Sequence, residues 1–200
     1  MSNKLSVTIF DDGPIKVSNA NRVRYCGELV ETDGDVFLCR CGESKNAPFC
    51  DGSHRTVEFK GENELKDFKP IKTWEGRTVR THFNPNACMH VLYCKPLGAL
   101  REAELAGDDG AAVEIARVVG LCPSGALSVE SKGADLDGDS NAECDVDIVE
   151  GGEIRLQRAY DVNVDALEGQ PGDRATLCRC GKSKNKPWCD GRHKGRKGFR

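Results

Sequence analysis

The stretch CRCGESKNAPFCDGSH at residues 39–54 returns as CRCGKSKNKPWCDGRH at residues 178–193, with twelve of sixteen positions identical. A leucine precedes each copy (Leu38, Leu177), and a Gly-Asp pair lies a few residues upstream of each (Gly34 and Asp35, Gly172 and Asp173). The offset is 139 residues, so this is a duplicated module with something inserted between the copies, not a tandem array. In each copy the candidate donors follow Cys-x-Cys-x8-Cys-x3-His: Cys39, Cys41, Cys50 and His54, then Cys178, Cys180, Cys189 and His193.

Thiolates and an imidazole bind borderline and soft metals. A pair of zinc knuckles is one reading, because three cysteines and a histidine do occur in zinc sites, but those sites favour Cys-x2–4-Cys pairs around one tetrahedral ion. The single residue inside Cys39/Cys41 and Cys178/Cys180 places two sulfurs on one side of an extended segment. That suits two thiolates on one iron, with Cys50 and His54, or Cys189 and His193, on another. The x3 spacing from Cys50 to His54 is about one helical turn, so a helix is expected to begin there, opened by Pro48 and led by Asp51 as N-cap or first-turn acid. Gly42, Gly52 and Gly181 allow close backbone approach to a cluster.

The rest of the chain agrees with a metal-stapled protein. It has 200 residues, 38% of them hydrophobic and 6% aromatic, so a large apolar core is not expected and a small domain then needs a staple. Its eleven cysteines are an odd number, and no apolar leader follows Met1. Metal binding in a reducing compartment, the cytoplasm, is expected over disulfides. No apolar run approaches a membrane span. With 29 basic and 32 acidic residues the charge is near balance, which excludes a dedicated nucleic-acid binder. The charge is nevertheless uneven: eight acidic residues and one lysine lie between Glu130 and Glu150, and five Lys/Arg with no acid between Arg192 and Arg200. The basic end is either a dock for an acidic redox partner or a frayed tail.

Three segments are expected: 1–70 with the first copy, 71–130 as a distinct middle unit, and 131–200 with an acidic connector and the second copy. Ile15–Val17, Val23–Tyr25, Val36–Leu38, Thr78–Phe83, Leu127–Glu130, Ile154–Leu156 and Tyr160–Val164 read as strands. Ala111–Val119 reads as an amphipathic helix with Val113, Ala116 and Val119 on one face. The fold class is α+β: two small loop-rich β modules paired around a pseudo-two-fold axis, plus the middle unit.

In the middle unit Cys88, His90 and Cys94 are followed, after the helix, by Cys122 and Pro123. Bacterial ferredoxins use Cys-x2-Cys-x2-Cys with a remote Cys-Pro. The outer spacing is kept here, but Val91 replaces the middle ligand. Three thiolates suit a [3Fe–4S] cluster, or a [4Fe–4S] cluster whose fourth ligand is His90 or, from farther away, Cys144 or Cys26. The other reading is a ferredoxin-like spacer that binds nothing. The order Cys-x-His-x3-Cys, helix, then Cys-Pro-Ser-Gly-Ala-Leu resembles the divergent single-cluster ferredoxins.

The run Pro48 to His54, with its upstream Cys-x-Cys, resembles the signature of the CDGSH iron–sulfur (NEET) family. The second copy matches except at Arg192, where the signature has a small residue. The resemblance implies a [2Fe–2S] cluster on Cys39, Cys41, Cys50 and His54, and another on Cys178, Cys180, Cys189 and His193. It also implies that two motifs in one chain pair with each other, so the expected state is a monomer. It further allows Lys45 and Lys184 to hydrogen-bond near the histidine ligand.

No Gly-rich nucleotide loop, Ser/His/Asp arrangement or helical His-Glu-x-x-His is present, so an enzyme is not expected. Single-electron transfer to a redox partner protein is the leading expectation. A cluster carrier serving an apo iron–sulfur acceptor, or an iron, redox or pH sensor, is the alternative, and a cluster-stapled scaffold the third. Replacing thiolate by neutral imidazole raises a cluster's potential, and a protonated imidazole cannot hold iron. Cluster loss should therefore quicken as pH falls. His54→Cys and His193→Cys should keep their visible absorbance at acidic pH; unchanged decay rates would rule the histidine out as the weak link.

Overall fold

The computed structural model describes residues 4–136, 144–164, 173–195 and 199. The expected mixed α+β architecture is present, and the pseudo-two-fold pairing has a specific form. The first repeat is built from β1 (Leu5–Ile9), β2 (Ile15–Tyr25) and β3 (Glu28–Leu38), followed by the first Cys-x-Cys loop and the short helix α1 (Ser53–Thr56). The second repeats the order with β7 (Val146–Ile148), β8 (Ile154–Leu156), β9 (Tyr160–Val162) and β10 (Ala175–Leu177), ending in a 3-10 turn at Arg192–Gly195.

Each repeat makes its own antiparallel hairpins, β1 with β2 and β2 with β3, then β7 with β8 and β8 with β10. The repeats then exchange edges. β1 runs parallel to β9 with Val7 opposite Val162, and β7 runs parallel to the far end of β2 with Val146 opposite Val23. Shifted by 139 residues, the first pair is the second, so the two exchanges are symmetric copies. All seven strands form one sheet.

Alternation builds this core. Leu5, Val7 and Ile9 point inward from β1, and Ile15, Val17, Ala20 and Val23 from β2. The β2 register shifts around Ala20, beside Asn19 at φ 63°, which keeps Ala20 and then Val23 on the inner face. Buried Asp145 from the second repeat seals that irregularity: its carboxylate accepts the backbone N–H groups of Asn21 and Arg22 at 2.9 Å and pairs with Arg158 at 3.0 Å.

The middle unit is a three-stranded antiparallel sheet of β4 (Lys72–Glu75), β5 (Val79–Phe83) and β6 (Leu127–Ser131), with α2 (Leu97–Leu105) and α3 (Ala111–Gly120) between β5 and β6. The face expected for α3 is misassigned. Val113 is exposed and Ala116 only partly buried, whereas Ala111, Ala112, Ile115, Val118 and Val119 are buried at the i, i+1, i+4, i+7, i+8 spacing of a core-facing stripe. The three short strands expected before the first loop are parts of one long hairpin, β2–β3. No helix among the described residues is long and apolar enough to cross a membrane. Residues 137–143 of the acidic connector, and 196–198 and 200 of the basic end, lie outside the described residues.

Candidate metal centres

Each Cys-x-Cys loop leaves a buried strand end and is closed by the same backbone ties. Leu38 bridges to Phe49 and Leu177 to Trp188. Cys39 N–H donates to the Pro48 carbonyl at 2.8 Å and Cys178 N–H to that of Pro187 at 2.7 Å. The hydroxyls of Ser44 and Ser183 donate to the Phe49 and Trp188 carbonyls, both at 2.6 Å. Asp51 and Asp190 accept the N–H of Lys45 and Lys184.

This frame brings the donors together in pairs. Cys39 and Cys41 sulfurs stand 3.7 Å apart, and those of Cys178 and Cys180 3.9 Å. Cys50 Sγ lies 3.5 Å from His54 Nδ1, and Cys189 Sγ 3.5 Å from His193 Nδ1. Two donors about 2.3 Å from a tetrahedral metal are about 3.8 Å from each other, so each pair is spaced to share one metal. Among the described residues, however, no three donors of either set lie within 4.8 Å of one another. Each set is thus two closely spaced donor pairs, and in the second Glu153 also stands within that distance of Cys189 and His193.

The helix expected at Cys50 begins three residues later. Gly52, at φ 88°, is the N-cap, and Asp51 instead accepts the Ser53 N–H at 3.0 Å. Cys50 and His54 still converge because this left-handed glycine turns the chain between them. Backbone N–H groups of Gly42, Glu43 and Gly191 reach the sulfurs of Cys39, Cys41 and Cys189 at 3.3–3.5 Å, contacts that tune a cluster's potential. The Cys41 hydrogen bond holds the Cys39 thiol down to about 5, and burial pushes Cys189 up. Metal binding at Cys189 must therefore expel a proton.

The two sites face each other. Arg40 and Arg179, the residues inside the Cys-x-Cys pairs, are buried and lie within electrostatic reach of the opposite site, Arg40 of Cys178 and Arg179 of Cys39. Arg40 donates to the Gly13 and Phe10 carbonyls, and Arg179 to those of Gly152 and Val149, the same positions after the 139-residue shift. Gly181, beside Cys180, touches the Cys41 carbonyl so closely that an added Cβ would stand 2.5 Å from it.

In the middle unit Cys88, His90, Cys94 and Cys122 line one small apolar cavity with Phe83 and Leu127. Cys88 Sγ lies 3.7 Å from His90 Nδ1. His90 and Leu92 both adopt positive φ (58° and 64°), so the loop is held in a wrapped, strained form of the kind found at ligand sites. Cys144 and Cys26 are not in this cavity: Cys144 sits buried beside β7, and Cys26 is exposed in the β2–β3 turn. Of the three candidates for a fourth ligand, His90 alone lines the cavity. Lys45 and Lys184 show no side-chain partner among the described residues; a buried carboxylate the sequence reading missed, Glu153, stands 3.5 Å from His193 Nε2.

Residues 12–55 and 146–194 match the family described as iron-binding zinc finger, CDGSH type, and residues 74–132 match the divergent 4Fe-4S mono-cluster family. The chain carries two CDGSH-type motifs around a divergent 4Fe–4S domain. No curated protein and no solved structure matches it. The first CDGSH segment thus contains β2, β3 and the loop to His54, the second β7 to the 3-10 turn, and the 4Fe–4S domain the β4–β6 sheet from Trp74 onward with both of its helices. The second CDGSH segment touches both neighbours. Besides the Gly181–Cys41 contact, Gly191 packs on the Met89 carbonyl, Lys194 Nζ donates to the Met89 and His90 carbonyls at 3.3 and 3.0 Å, and Asn185 donates to the Asn86 carbonyl at 2.7 Å.

Proposed function

We propose that this chain is a monomeric electron-transfer protein, not an enzyme, that relays single electrons through three iron–sulfur sites to a redox partner protein. Cys39, Cys41, Cys50 and His54 hold one [2Fe–2S] cluster, and Cys178, Cys180, Cys189 and His193 another. Cys88, Cys94 and Cys122, with His90 beside them, hold a [3Fe–4S] or [4Fe–4S] cluster. Such clusters take up and release one electron at a time. The observation that carries the reading is the double contact of the second CDGSH segment, with Gly181 against Cys41 and Gly191 against Met89. Electron tunnelling falls steeply with distance, and these contacts put the ligand loops of all three sites in van der Waals sequence. Buried Arg40 and Arg179 offset the negative charge of the thiolates that face them. Eleven free thiols suit a reducing compartment such as the cytoplasm.

The test is a reductive titration of anaerobically purified protein, followed by paramagnetic resonance. Three reversible reductions, with signals that broaden each other as neighbours fill, are expected. Bleaching that does not reverse on reoxidation would overturn the relay. One observation favours a cluster carrier instead: His54 is only half-buried and lines an open groove with Phe10 and Phe37. Transfer to an apo acceptor faster than loss to buffer would support that second reading.

A further inference from the structure

The two CDGSH sites are copies in their donors and in the backbone that holds them, but not in what stands behind the histidine. In the second, His193 Nδ1 faces Cys189 and its other ring nitrogen, Nε2, faces Glu153 Oε2 at 3.5 Å. Both side chains are deeply buried, Glu153 at 2% and His193 at 8% exposure. The other Glu153 oxygen accepts Arg155 Nε at 2.7 Å, and Arg155 also lies 3.8 Å from Asp147, so the buried carboxylate has a cation to balance it. After the 139-residue shift the place of Glu153 is taken by Pro14, whose side chain has no acceptor. Pro14 and His54 line the same open groove, and among the described residues nothing pairs with His54 Nε2.

A metal-bound histidine commonly gives its second N–H to a carboxylate, which fixes the ring and makes it a stronger donor; removing such a partner typically costs about 10–100-fold in metal affinity. We propose that Glu153 is the positioning residue that makes the two sites unequal. By holding His193 on its metal it keeps the second cluster in place and lowers its potential, and it leaves the first, behind Pro14, as the site that exchanges with the outside. The inference rests on the reading of both donor sets as iron–sulfur sites and assigns them different tasks: the second is the retained inner station, the first the outer port.

Two reciprocal substitutions test it on the full chain at fixed neutral pH, read by chelator-driven loss of visible absorbance and by the potentials of the two [2Fe–2S] steps. The wild type should lose absorbance in a fast and a slow phase. Glu153→Gln should speed the slow phase about 10-fold, leave the fast one, and raise the lower potential toward the higher. Pro14→Glu, at a half-buried position that lines the open groove, should slow the fast phase and lower the higher potential. A lost core contact alone would speed loss without moving a potential. Unmoved potentials in both variants, or phases that change together, would overturn the proposal. Colourless wild-type protein would overturn the cluster reading itself.

Discussion

Gly181→Ala is expected to lose both CDGSH sites together, though it alters only one loop. Gly181 has φ +73°, where a side chain costs about 1–2 kcal/mol. Its new Cβ would also stand 2.5 Å from the Cys41 carbonyl oxygen and 3.1 Å from the carbonyl carbon, backbone atoms of the other site that cannot swing aside. Overpacking of this kind adds about 1–3 kcal/mol, so the total is roughly 2–5 kcal/mol, a large part of a small domain's stability. The strand exchange means neither repeat can separate without losing a parallel edge, β1 on β9 or β7 on β2. Visible absorbance from both sites should therefore fall in one step on heating, well below the wild-type temperature. Gly52→Ala is the matched control: its φ is +88°, but nothing lies within 4 Å of the added carbon, so only the backbone term applies. Equal shifts in the two variants would mean that the contact between the loops does not hold the sites together.

The second large effect is expected at the middle site. Cys122→Ser should remove about three to four irons per chain and leave the two [2Fe–2S] signals unchanged. The three cysteines and His90 share one cavity, and Cys122 is the remote cysteine brought there by the end of α3. Cys144→Ser and Cys26→Ser should leave the iron content as it was, because neither sulfur lies in that cavity. Iron unchanged in Cys122→Ser would make the unit an empty ferredoxin-like spacer. Iron lost in Cys144→Ser would return that residue to the ligand set.

The donors were legible in the sequence because each set lies within sixteen residues and its spacing alone restricts the metal. Pairing of the copies followed from the duplication, but its form did not. β8 and β9 could be read as strands, but β7 and β10 have three residues each, too short for a periodic signal, and Val146 meets Val23 across more than a hundred residues. The face of α3 was misread because Val113, Ala116 and Val119 also sit at helical spacing, and only the sheet beneath decides which apolar stripe is buried. Glu153 was invisible as a partner of His193, since a lone acid forty residues before that histidine carries no pattern. The one available clue was Pro14 at the equivalent place in the first copy, and it gains meaning only once both hairpins are seen beside their histidines.

The central claim is that sulfur and imidazole at the two ends of the chain hold diiron clusters. Iron, acid-labile sulfide and zinc should be counted per chain in anaerobically purified protein. The account predicts coloured protein with at least about four irons, sulfide in matching amount and no stoichiometric zinc. Colourless protein carrying about one zinc per Cys-x-Cys site, with no sulfide, would contradict it.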